Sequence, residues 1–123
     1  MLRRTALVAL AALALSAPAR AEDATAALAT TLHRQIARCW SLPADTPVDA
    51  TVRVKVSLTE SGELDGSPTI DGPVAGGPAT KAFAASAVRA VVRCAPFKGL
   101  AELAPYATWK TLLVTFRPPP DDL

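Results

Sequence analysis

The chain has one histidine, two cysteines, one tyrosine and no apolar run long enough to cross a bilayer, and each shortage excludes a class of chemistry. With His33 alone, neither a two-histidine metal site nor a zinc site of ordinary ligand spacing can be assembled. His33 lies beside Arg34 on the outer face of a helical run and reads as a solvated side chain. Cys39 and Cys94 are far apart in sequence rather than in a C-x-x-C pair, which argues against a thioredoxin-like redox role. There is no Gly-x-Ser-x-Gly nucleophile turn. The glycine-rich stretch DGPVAGGP at 71–78 is not followed by Gly-Lys-Ser/Thr, and Pro73 and Pro78 remove backbone donors that a phosphate would need. Glu60 and Glu63 fall on a hairpin turn, an exposed place of little use for acid–base catalysis. The sequence therefore reads as a non-enzyme, with no catalytic residues, no cofactor and no metal.

What is present begins with an export signal. MLRRTALVALAALALSAPARA opens with Arg3 and Arg4, continues with an apolar core at residues 5–15, and closes on Ala19-Arg20-Ala21. That is the grammar of a secretory signal cleaved after Ala21. The apolar core falls well short of the roughly 20 residues a membrane-spanning helix needs. The arginine pair fits both the general and the twin-arginine routes. Removing Arg3, Arg4 and Arg20 from the 13 basic residues leaves 10 against 11 acidic ones, a net charge of −1. The basic character thus belongs mostly to the signal, and no clustered Lys/Arg patch for nucleic acid is visible in sequence.

About 100 residues then remain, enough for one domain with a single core. Residues 24–39 carry Leu28, Leu32, Ile36 and Cys39 at helical spacing. Pro43 and Pro47 forbid continuation. Residues 50–59 alternate without a break: Val52, Val54, Val56 and Leu58 share one side, and Thr51, Arg53, Lys55, Ser57 and Thr59 the other. This predicts a strand wet on one face, as in an antiparallel sheet. A turn at Glu60–Glu63 leads to a weaker strand at 64–70, which Gly66 and Pro68 mark as irregular or peripheral. Residues 79–94 predict a second helix with Phe83, Ala87, Ala90, Val91 and Cys94 as its apolar stripe. Residues 95–108 look irregular, with a short helical turn around 100–103. A third strand follows at 109–118, with Leu112, Val114 and Phe116 opposite Thr111, Leu113, Thr115 and Arg117. The order α-β-β-α-β implies an α+β two-layer sandwich: a three-stranded antiparallel sheet with two helices on one face. Residues 119–123 form a polar tail.

In an oxidising compartment the two cysteines have one possible connectivity, Cys39–Cys94, against the alternative of two reduced and buried thiols. A simple up-and-down trace puts the two helix ends at opposite ends of the sheet, too far for a bond that needs Cα atoms about 4.4–6.8 Å apart. The long loops leave the pairing open. Trp40 and Trp109 are candidate aromatic cover for the core.

Cys39-Trp40 with a following proline, the alternating strand, the Ser-Gly turn, Arg93-Cys94-x-Pro-Phe, Tyr106-x-x-Trp109 and Phe116-x-Pro118 occur in that order. Together, over residues 28–118, they resemble the C-terminal domain of TolA and TonB proteins, most closely the TolA-like branch with its CW and CxP motifs. The resemblance implies a domain at 22–118 that lies in the periplasm, is monomeric, and binds envelope proteins or extended segments of them, such as Tol-system or outer-membrane uptake components. It implies no nucleic-acid partner and no stable membrane insertion after cleavage. Family members bind by adding a partner strand at the sheet edge. With a strand order of 2-1-3, Lys110, Thr111, Leu112, Leu113, Val114, Thr115, Phe116 and Arg117 would form that edge, with Leu113 as the side-chain anchor. The sequence departs from the energy-transducing members, which carry a membrane helix and a long spacer before this domain. The alternative is a transducer, coupled to transmembrane transport, that keeps its N-terminus uncleaved as an anchor.

Overall fold

A computed structural model describes residues 17–119. The n-region and apolar core of the expected signal, and residues 120–123 of the expected tail, lie outside the described residues. Helix α1 spans Ala17–Ala37, strand β1 Val52–Ser57, strand β2 Thr69–Ile70, helix α2 Pro78–Cys94, the short helix α3 Tyr106–Trp109 and strand β3 Thr111–Phe116. The strands make one antiparallel sheet in the order β2-β1-β3, and the helices cover one of its faces.

The period-two pattern of β1 decides which face is covered. Val52, Val54 and Val56 are buried, and so is Leu58 just beyond the strand, while Arg53 and Lys55 stay exposed. In β3, Val114 and Phe116 are buried and Leu112 half-buried on the same side. Against this face α1 sets Leu28, Leu32 and Ile36, and α2 sets Phe83, Ala87, Ala90 and Val91, each row a stripe of helical period. Small side chains at Ala84, Ala87 and Ala90 let α2 lie close to the sheet. Trp40 leans over this layer with its ring 5.7 Å from that of Phe83 and 5.3 Å from that of Phe116. Its indole N–H donates to Ser86 Oγ at 3.0 Å, and that hydroxyl donates to the Phe83 carbonyl at 2.7 Å. The buried serine is thereby satisfied at both its donor and its acceptor.

Three elements differ from expectation. Helix α1 begins at Ala17 rather than residue 24, so the Ala21–Glu22 junction where the sequence predicts cleavage lies inside a continuous helix. The second strand shrinks to Thr69–Ile70, because Gly66 adopts φ +91° and Pro68 has no N–H to give; only an isolated bridge, Leu58 to Leu64, marks its start. Residues 106–109 form α3, where irregular chain to 108 and the start of the third strand at Trp109 were expected, and that strand runs only over Thr111–Phe116. Four residues are too few to show a helical period, yet Tyr106 and Trp109 meet edge-to-face at 4.9 Å one turn apart.

Cys39, just past the end of α1, and Cys94, the last residue of α2, form a disulfide with Cα atoms 5.7 Å apart. The obstacle raised by a simple up-and-down trace is removed by the loops at 38–51 and 71–77. With β2 only two residues long, the chain leaves the sheet early enough for the two helix C-termini to converge. Gln35 reinforces this corner. Its side-chain amide donates to the Lys98 carbonyl at 2.8 Å and accepts from the Lys98 N–H at 3.0 Å.

Candidate functional site at the outer edge of the last strand

An antiparallel strand directs the backbone groups of alternate residues to opposite sides. In β1, the Arg53 carbonyl accepts from the Asp71 N–H and the Ser57 carbonyl from the Asp65 N–H, so odd-numbered residues face the β2 side. The Leu58 N–H donates to the Lys110 carbonyl, so even-numbered residues face β3. The β1–β3 register pairs Val56 with Leu112, Val54 with Val114 and Val52 with Phe116. Leu112, Val114 and Phe116 therefore spend their backbone groups on β1. Thr111, Leu113 and Thr115 turn theirs outward, where no further strand lies among the described residues.

Of the eight residues Lys110–Arg117, these three turn their backbone groups to the outer border, Thr111 and Leu113 with both N–H and C=O open and Thr115 with its carbonyl engaged by His33. Lys110 and Arg117 flank the strand. Leu113 is 53% exposed on the open face of the sheet, beside Lys55 across the register. The opposite edge offers far less, since β2 has only two residues. The sheet thus has one long unpaired border.

A groove of about 230 Å³ runs along that border between α1 and β3, walled by Leu28, Ala29 and Leu32 from the helix and Leu112 and Val114 from the strand. Sequence periodicity placed Leu28, Leu32, Leu112 and Val114 on the core face, but not at the margin where that face opens to solvent; it gave no place to Ala29, which is exposed. His33, exposed as a solvated side chain would be, also lines the same groove. Its Nδ1 lies 2.8 Å from the Ala29 carbonyl and its Nε2 2.8 Å from the Thr115 carbonyl. No local signal could have announced a contact between positions 82 apart. A larger concavity of about 480 Å³ lies beside the disulfide, lined by Arg34, Arg38 and Lys98 with no carboxylate; it shares no lining residue with the groove. Among the described residues no group of three or more His, Cys, Asp or Glu could hold a metal, and no helix is long and apolar enough to cross a membrane.

A family model matches residues 20–120, nearly the whole described region. The chain belongs to the family described as uncharacterised conserved protein UCP034077. No curated protein matches it. Among solved structures, this member of the family is similar to TolAIII bound to a peptide derived from the N-terminus of TolB, determined by solution NMR. The TM-score is 0.61 and the identity 19%, over 77% of this chain and 75% of that one. The fold is therefore that of the TolA C-terminal domain.

Proposed function

We propose that this chain is a non-enzymatic protein-binding module of the bacterial envelope, working in the periplasm after cleavage at Ala21. It takes an extended segment of a Tol-system or outer-membrane partner as a fourth strand against β3. The observation that carries this reading is the border of Thr111, Leu113 and Thr115, with outward backbone groups and an apolar groove alongside. Strand addition uses both: the ladder supplies main-chain hydrogen bonds, and the groove receives alternate side chains. The neighbouring fold was solved with a peptide bound, which supports the same kind of partner here.

The test is a titration of the mature chain with peptides tiled along the N-terminal segment of the cognate TolB, followed by amide NMR. The informative variant is Leu113→Pro, which deletes an outward N–H and leaves the β1 ladder whole. Proline at Leu112 or Val114 would instead break the sheet itself. Binding that is lost in a folded Leu113→Pro variant supports docking at β3; unchanged affinity removes it.

A second reading follows from α1 running unbroken through the Ala21–Glu22 junction. In it, an uncleaved N-terminus anchors the module to the membrane as a TonB/TolA-type transducer. Mass spectrometry of the protein from envelope extract separates the two: an N-terminal Glu22 supports the free module, an intact Met1 the anchored one.

A further inference from the structure

We propose that His33 caps the Thr115 end of the docking border and thereby sets the length and register of the strand that binds; this rests on β3 being the docking edge. The histidine belongs to α1, yet its Nε2–H donates to the one outward carbonyl at the far end of β3, that of Thr115, at 2.8 Å. Its Nδ1 is held 2.8 Å from the Ala29 carbonyl, one turn back along the helix. The ring also meets Phe116 edge-on, with centroids 6.0 Å apart and planes at 70°. These contacts fix the imidazole across the mouth of the groove.

The consequence for a partner is geometric. An antiparallel strand exchanges two hydrogen bonds with each outward-facing residue it meets. Thr111 and Leu113 have both groups available. At Thr115 the carbonyl is engaged and the imidazole occupies the approach. A docking segment therefore makes two full pairs and stops. The residue opposite Leu113 sets its side chain beside that leucine on the open face. The residues on either side of it turn into the groove toward Leu28, Ala29 and Leu32. The partner this fits is a short extended segment with apolar side chains at three consecutive positions.

The experiment measures affinity for peptides of increasing length, extended two residues at a time from either end of the tightest TolB-derived peptide, on the wild type and on His33→Ala. In the wild type, affinity should rise until Thr111 and Leu113 are paired, then change by less than about twofold on reaching Thr115. In His33→Ala the same extension should strengthen binding by about tenfold, the worth of an added pair of main-chain bonds. Binding with the same length profile in both proteins overturns the cap and leaves the docking edge standing. Absence of binding to either protein overturns both. Should His33→Ala not fold, by its amide spectrum, the wild-type series decides alone: a plateau supports the cap, and a clear gain on reaching Thr115 overturns it.

Discussion

Gly62 has two independent reasons to be glycine. Its φ is +84°, a region where side chains are strained, and a Cβ built there would collide with the Phe97 carbonyl oxygen. The backbones are held together by the Phe97 N–H donating to the Gly62 carbonyl at 2.8 Å, which ties the β1–β2 turn to the segment after α2. Gly62→Ala should lower unfolding free energy by about 2 kcal/mol or more, read from urea melts followed by circular dichroism. Tyr106 makes a similar long-range tie, its hydroxyl donating to the Leu58 carbonyl at 2.6 Å. Tyr106→Phe keeps the ring against Trp109 and deletes only the donor. The expected loss is about 1 kcal/mol in the same melts, with the fold unchanged.

At the scale of elements, the two borders of the sheet are unequal because β1 and its partners are unequal. β1 and β3 pair over six positions and β1 and β2 over two. Leu112→Pro should therefore unfold the domain, whereas Leu113→Pro should leave the far-ultraviolet dichroism of the wild type, since only the former removes a β1–β3 bond. The contrast tests the register directly. How far such elements were legible depended on the strength of the local pattern. The unbroken alternation from Thr51 to Thr59 and the leucine spacing of α1 carried β1 and α1 on their own. Gly66 and Pro68 correctly marked the second strand as weak, but not that only two residues would pair. Helix α3 was too short to be periodic. That the last strand, within the expected edge of Lys110–Arg117, lies at the border of the sheet was legible through alternation and a family resemblance, whereas the groove and its histidine were not. Both arise where α1 crosses the end of β3, and such a crossing is a property of packing, not of either segment.

The whole molecule is held by a layered core and one covalent bond. The disulfide closes a loop of 55 residues, which in the chain-entropy account stabilises the fold by about 4 kcal/mol. A domain of this size has a total stability of about 5–15 kcal/mol. The double variant Cys39→Ser/Cys94→Ser should accordingly lose a large share of its resistance to guanidinium, and reduction of the wild type should produce the same loss. Equal midpoints for oxidised and reduced protein would show the bond to be idle.

The arrangement also bears on when the molecule can form. Val54 and Val56 at the centre of the sheet find their long partner in Thr111–Phe116, the last of the described elements along the polypeptide. Any nascent product that stops short of Thr111 keeps these valines without their six-residue neighbour and leaves Phe116 missing beneath Trp40. Completion of the layer is thereby deferred until synthesis has passed its final segment.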